Sequence, residues 1–483
     1  MSFFVSTRGA SPKVDAPHAI LNGIAPDGGL YIPETLPRIT PESLQGLDFI
    51  GMAKAILTAY LPGYTAEEID ACVDAAYSGK FDVPDIAPVK KVGKHWVLEL
   101  FHGPTAAFKD VALSVLPRLM STAMKKTGFK NRIMILTATS GDTGSAALTG
   151  FSDVEGIGIT VFYPNEGISP IQRAQMTAMK GDNLHVCAVK GNFDDAQSGV
   201  KQIFAEMEQN DGVSLSSANS INFGRLAPQI VYYYSSYLKL VEEGVINMGD
   251  PVDFCVPTGN FGDILAGYFA RCSGLPVARL LCASNRNNVL TDFLASGCYD
   301  RNRPFHVTLS PSMDILISSN LERLVYLALG RDGAKTAELM AQLKKDGRYT
   351  LPEDAFKAVQ SAFEGAYVTD EEALKTIARV WKEEGYLLDP HSAVAYRAAE
   401  ELEGEVPCVV LSTASPFKFP STVLTALDLP IPEDAAEQLK VMEDVCKASA
   451  PETLSSALTR PVRFRDVVAP AEMQAYVAEA MKA

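Results

Sequence analysis

Short apolar runs recur along the middle of the chain: IMILTA (133–138), GITVFY (158–163), LHVCAV (184–189), DFCVP (253–257), RLLCAS (279–284) and CVVLST (408–413). Most are separated by stretches whose apolar residues repeat every three or four positions. Four to eight apolar residues between turn signals suit a strand buried on both faces, and the longer repeats suit helices. Strands alternating with helices predict an α/β fold with parallel sheets covered by helices. Before residue 86 the pattern differs. GIAPDGGLYIPETLP is punctuated by Gly and Pro around a short LYI strand, and TAEEIDACVDAAY predicts a helix with an acidic first turn. Residues 331–385 read as charged amphipathic helices with no assigned chemistry. No repeat or low-complexity tract interrupts the chain.

Composition narrows the function classes. The 483 residues suffice for two or three domains, and 47% hydrophobic with 21% charged residues is ordinary for a globular protein. A net charge of −15 argues against a nucleic-acid partner. The eight cysteines are scattered without C-x-x-C, and the six histidines without H-E-x-x-H, so neither a zinc site nor a disulfide framework is expected. MSFFVSTRGASPK has no apolar signal-peptide core, and no run reaches the length of a membrane span. A cytoplasmic enzyme or binding protein, without a membrane partner, is the expectation.

Ligands of α/β sheets sit beyond the carboxyl ends of the strands. Two loops there are glycine-rich and open a helix: TSGDTGSAA (139–147) and TGNFGDILAGY (258–268). Such turns present free backbone N–H groups and the positive end of a helix to an anion. Neither matches a common nucleotide motif. Upstream, FHGPTAAFKD (101–110) places Lys109 after a short, mostly apolar run. Asp110 could pair with that lysine, its stem could carry the charge to water, or its pKa could be shifted for Schiff-base chemistry. Two anion loops and one such lysine are the parts that pyridoxal phosphate (PLP) chemistry needs.

FHGPTAAFKD, TATSGDTGSAA, SPIQRAQM, GNFDDAQ, NSANSINFGRL, PTGNFGD, DPHSAVAYRA and STASPFKF occur in that order. With these motifs the chain resembles the threonine synthases, PLP enzymes of fold type II (tryptophan synthase β-like), in their longer bacterial and fungal branch. The resemblance spans roughly residues 5 to 425. It implies an N-terminal domain over 1–85 and a large PLP-binding domain over 86–130 and 226–430. A smaller mobile α/β domain over 131–225 and a C-terminal extension over 431–483 complete the expected organisation.

The resemblance also assigns residues. Lys109 is the lysine that bonds to the cofactor and then moves protons. Gly259, Asn260, Phe261, Gly262 and Asp263 form the phosphate loop, with Asp263 expected to cap the helix and turn its carboxylate away. Thr413 meets the pyridine nitrogen as a neutral hydroxyl, and Asp142 faces the 3′-oxygen. Thr139, Ser140 and Thr143 bind the substrate carboxylate. Arg173, Ser220, Asn222 and Arg225 hold the phosphate of the substrate, which the family implies is O-phospho-L-homoserine. His102 is expected to make a positioning hydrogen bond, while Asp110 and His391 are expected to be structural. Ser415 stands where relatives often carry His. The longer branch implies a monomer. The alternatives are another fold type II enzyme such as a threonine or serine dehydratase, a non-catalytic PLP-binding relative, and a nucleotide-binding α/β protein unrelated to PLP.

Overall fold

The computed structural model describes residues 3–166, 168–207 and 212–482. At the N-terminus β1 (Phe4–Ser6) pairs antiparallel with β2 (Tyr31–Pro33), enclosing α1 (Ala16–Asn22). Helices α2 (Phe49–Tyr60) and α3 (Ala66–Tyr77) follow. The acidic start of α3 is a capping box, in which Thr65 accepts from the Glu68 amide and Glu68 from the Thr65 amide. This N-terminal unit is tied to the body by tyrosines. Tyr64 and Tyr77 donate to the carbonyls of Leu119 and Val111, both on α4 (Lys109–Thr127).

Before α4, β3 (Val89–Val92) and β4 (His95–Glu99) form a hairpin. After it, β5 (Arg132–Ala138), α5 (Asp142–Phe151), β6 (Ile157–Pro164), α6 (Pro170–Thr177), β7 (Leu184–Val189), α7 (Phe193–Glu206) and β8 (Val213–Ser216) build a parallel sheet. Its order is completed by β15 (Asp466–Val468) from the far C-terminus: β15-β7-β6-β5-β8. Every residue of β6, at its centre, is buried, as expected of a strand with helices on both faces. Helices α8 (Phe223–Leu226) and α9 (Ile230–Glu242) lead to β9 (Val252–Pro257), α10 (Gly262–Ser273) and β10 (Val277–Ser284).

A second sheet collects β13-β10-β9-β14-β4-β3, parallel except for its β3–β4 edge. Here β11 (Cys298–Asp300) and β12 (Arg348–Thr350) form a small separate pair, β13 is Phe363–Tyr367 and β14 is Cys408–Ser412. The C-terminal segment is integral to the first sheet. Its strand β15 (Asp466–Val468) pairs with β7, and Met473 fills the space over Gly199 of α7, where a Cβ would stand 2.3 Å from its sulfur.

Helix α4 bridges the two sheets, and one glycine sets how closely α5 approaches it. A Cβ on Gly150 would lie 2.0 Å from the Leu113 carbonyl. Glycine there lets α5 rest directly on α4, which brings the first residue of each helix, Lys109 and Asp142, to one place. Among the described residues, no helix is long and apolar enough to cross a membrane.

Candidate active site

The loops following β4, β5, β9 and β14 converge on a cavity of about 1010 Å³. Of the residues expected to bind cofactor or substrate, all but Arg173 and Asn222 line it, as does His391, whereas His102, Asp110 and Ser415 do not. Lys109 begins α4 at the end of a tightly wound loop. The loop is pinned by Asp110, whose carboxylate accepts from the Thr105 amide (2.8 Å) and hydroxyl (2.7 Å). Ala106 adopts φ +57°, and its carbonyl accepts from the Ser415 amide, joining this loop to the one after β14. Asp110 therefore does not pair with Lys109. The partner of Lys109 is Asp142, at 3.6 Å.

Asp142 is the electrostatic centre. Its Oδ1 receives the ammonium of Lys418 at 2.8 Å and the Gln172 side-chain amide at 2.8 Å, while Oδ2 faces Lys109 and the Ser312 hydroxyl (3.4 Å). Burial alone would raise the pKa of this carboxyl. The two ammonium groups outweigh burial and hold it far below the carboxylate range. Lys109 experiences the opposite balance. Burial, Lys418 and Arg225 together outweigh Asp142, and its pKa is lowered. A buried ammonium that sheds its proton at modest cost is suited to nucleophilic attack on a carbonyl.

The loop after β9 has the build of a phosphate site. A Cβ on Gly259 would stand 2.7 Å from the Ser312 carbonyl, so only glycine allows this close approach. Phe261 precedes α10 with φ +61°, a left-handed conformation unusual for a side chain of its size, and its buried ring lies 5.4 Å from that of Phe363. The N–H groups of Asn260, Phe261 and Gly262 have no acceptor among the described residues. Three free N–H groups at the positive end of a twelve-residue helix fit a phosphate group. Asp263 is not the expected cap, because it lies one residue inside the helix. Its Oδ1 accepts from Tyr232 (2.5 Å) and Tyr233 (3.0 Å), its Oδ2 has no partner among the described residues, and burial raises its pKa to about 6.

The remaining positions divide. Thr139 accepts from the Gly141 and Gly144 amides, so its hydroxyl shapes the turn, while Ser140 and Thr143 stay partly exposed on the cavity wall. Thr413 also lines the cavity, its amide donating to Ser392 and its carbonyl accepting from the Phe108 amide. Ser220 accepts from Asn320 at the cavity edge. Arg225 is buried without a carboxylate at ion-pair distance among the described residues. One Nη donates to the Ala218 carbonyl and Nε has no partner among the described residues. Burial lowers its pKa to about 10.

Two expected substrate ligands sit elsewhere. Asn222 is fully buried, its amide donating to the Ile20 carbonyl and its oxygen capping α8. Arg173 is exposed and donates to the Asn165 carbonyl. Helix α6 turns its neighbours Ile171 and Gln172 inward, and the next position points about 100° away.

His391 accepts from the Ser312 amide and pairs through Nδ1 with Asp389 (2.8 Å), which fixes its ring. His102 bridges Asp82 (2.7 Å) and the buried Glu99 (2.9 Å), and Glu99 also receives Tyr386 and Lys90. Ser415 caps the short turn after β14 by accepting from Phe417. Lys418, Gln172 and Ser312 were missed. Lys418 stood in the quoted SPFKF, a lysine between phenylalanines just as Lys109 follows one.

Among family models, "Pyridoxal-phosphate dependent enzyme" matches residues 84–413, "Threonine synthase N terminus" 3–77 and "Threonine synthase, C-terminal" 392–477. The chain is 43% identical to the threonine synthase of Pseudomonas aeruginosa over 430 residues, 87% of this chain and 89% of that one. The crystal structure of PLP-bound threonine synthase from Brucella melitensis superposes with a TM-score of 0.89 at 39% identity over all of both chains. That of threonine synthase from yeast gives 0.88 at 34%, covering 99% of this chain and 98% of the other. A buried lysine facing a carboxylate, a phosphate-shaped loop and these likenesses over nearly the whole length lead to one conclusion: the chain belongs to the threonine synthase family of PLP-dependent, fold type II enzymes.

Proposed function

We propose that this protein converts O-phospho-L-homoserine and water to L-threonine and phosphate. The observation that carries the reading is the placement of Arg225, a buried guanidinium without a carboxylate partner on the wall of the cavity that holds Lys109. A buried cation of this kind calls for an anion, and a phosphorylated substrate brings one. A serine or threonine substrate would leave it uncompensated.

Lys109 would hold the cofactor at its aldehyde, the 259–262 loop its phosphate, Thr413 its ring nitrogen and Asp142 its 3′-oxygen. When bound, PLP supplies an electron sink that renders protons beside the amino-bearing carbon removable. The chain's own residues do the rest. Arg225 and Ser220 place the phosphate ester so that the γ-carbon lies within the cavity. Ser140 and Thr143 orient the carboxylate. Lys109 Nζ, kept short of a fixed proton by burial, takes up and returns protons at the α-, β- and γ-carbons. Phosphate departs from the γ-carbon, the oxygen of water joins the β-carbon, and the γ-carbon ends as the methyl group of threonine. The resemblance to the longer branch of the family implies a monomer as the working unit.

The test is phosphate release and threonine formation from O-phospho-L-homoserine by the PLP-loaded protein, with L-serine and L-threonine as competing substrates. Stoichiometric phosphate and threonine are expected. Deamination of serine or threonine without turnover of the phosphate ester would overturn the assignment in favour of a dehydratase. Light scattering should give one chain per particle.

A further inference from the structure

Two lysines share one buried carboxylate in this site, and they do so unequally. Lys418 is fully buried, 2.8 Å from Asp142 Oδ1, with a second bond to the Thr105 carbonyl at 2.8 Å. Lys109 lies 3.6 Å from Oδ2, over the ring of Phe108 at 4.5 Å, and has no second acceptor among the described residues. Gln172 reinforces the Lys418 side by donating to the same Oδ1. The negative charge of Asp142 is thus already matched. A second ammonium at Lys109 would be an uncompensated buried cation beside the guanidinium of Arg225.

We propose that Lys418 is a positioning residue that, by occupying Asp142, leaves the Lys109 amine without a carboxylate of its own and so favours release of its proton. The inference rests on the reading of Lys109 as the cofactor-bonding lysine. Lys418 touches none of the reacting atoms; it acts by holding Asp142 and by repelling positive charge at Lys109. The charged groups around Lys109 agree with this. Asp142 on α5 is the carboxylate in ion-pair reach. Asp263 on α10 is engaged by Tyr232 and Tyr233, and Asp110 on α4 itself is engaged by Thr105. Arg225 on α8 adds positive charge, and His391 on the helix Pro390–Glu401 faces Asp142. Removal of Lys418 would release Asp142 to Lys109 and take away a repelling cation, so both changes favour the protonated amine.

The experiment follows covalent uptake of PLP by the full-length, cofactor-depleted protein as a function of pH. The Lys109 amine condenses with the cofactor aldehyde and one water leaves. The rate is read from the visible band and confirmed by borohydride trapping with peptide mapping. In wild type the cofactor should map to Lys109, with a rate that rises through an inflection set by that amine. Lys418→Met should move the inflection up by about one pH unit or more and slow uptake at neutral pH by about tenfold or more. Lys418→Arg, which keeps the charge, should stay near wild type. Lys418→Met combined with Asp142→Asn should return the inflection to wild type or below. An unmoved inflection in folded Lys418→Met, or one equally raised in the double variant, would overturn the proposal. Should Lys418→Met not fold, Lys418→Gln decides on the same inflection, which must rise for the proposal to stand. Trapping on any lysine other than Lys109 in wild type would instead overturn the reading beneath it.

Discussion

Asp263 offers a sharp test of how burial works in the phosphate loop. Its carboxyl sits at the first turn of α10, a place that ordinarily favours an ionised acid. Burial wins over the two tyrosine hydroxyls and raises its pKa from 3.8 to about 6. A raised folded-state value means that the native chain holds its proton more tightly than the unfolded chain. The stabilising contribution is complete below pH 3.8 and is lost as pH rises to about 6, above which the cost is constant. At 1.36 kcal/mol per pKa unit the cost above that window is on the order of 3 kcal/mol. Asp263→Asn keeps the shape and the acceptor for Tyr232 and Tyr233 while removing the titration. With an unfolding entropy of about 2 cal/mol/K per residue, 483 residues unfolding together correspond to a rise of ~3 °C. The assay is the thermal midpoint of the cofactor-free protein from pH 4 to pH 8 for both chains. The advantage of the variant should grow between pH 4 and pH 6 and then level off. Parallel profiles at all pH values would refute the reasoning, because they would mean that Asp263 carries the same proton occupancy folded and unfolded.

Lys109→Ala should lower turnover by at least about a hundredfold, the usual scale for losing an acid–base group, as measured by phosphate release. Arg225→Gln should raise KM for the phosphate ester by about tenfold to a hundredfold, the worth of a charged hydrogen bond, with no loss of thermal stability because an unpaired buried cation is removed. Gly259→Ala forces a Cβ to 2.7 Å from the Ser312 carbonyl. It should weaken PLP binding measured by fluorescence titration, with a destabilisation of roughly 1–3 kcal/mol. For His102, burial works against the charged ring, but Glu99 and Asp82 outweigh it and raise its pKa above 6.5. The stability it confers is full below pH 6.5 and lost as pH rises through the folded value, so His102→Gln should flatten that part of the urea-stability profile.

The site owes its charge balance to contacts between remote segments. Asp142 and Lys109 meet because Gly150 lets α5 lie on the backbone of α4. Lys418 enters from beyond β14, and Ser312 from a loop that closes over Gly259. None of these distances is encoded by spacing along the chain.

What local pattern could determine, it did. Apolar runs of five or six residues, flanked by Gly, Pro and Asn, lie within one or two residues of β5, β6, β7, β9, β10 and β14, because a strand buried on both faces needs continuous apolar side chains and a turn at each end. The capping box of α3 is equally local, since hydrogen bonds between neighbours make it. Family motifs extended this to most of the residues around the cavity. Where the sequence was insufficient, the question was one of direction or partnership. Arg173 and Gln172 are adjacent in a plausible phosphate-binding motif, but the rotation of α6 sends one to solvent and the other to Asp142. Asn222, expected on the substrate phosphate, is spent on α1 and the start of α8. Asp110, expected to be structural, pins the loop before α4, and Lys418 went unweighed although it holds the central carboxylate. Periodicity along a chain reports which residues are buried together. Which buried charge answers which is settled only when the tertiary structure brings distant segments within a few ångströms, because in a low-dielectric interior those few ångströms determine each pKa.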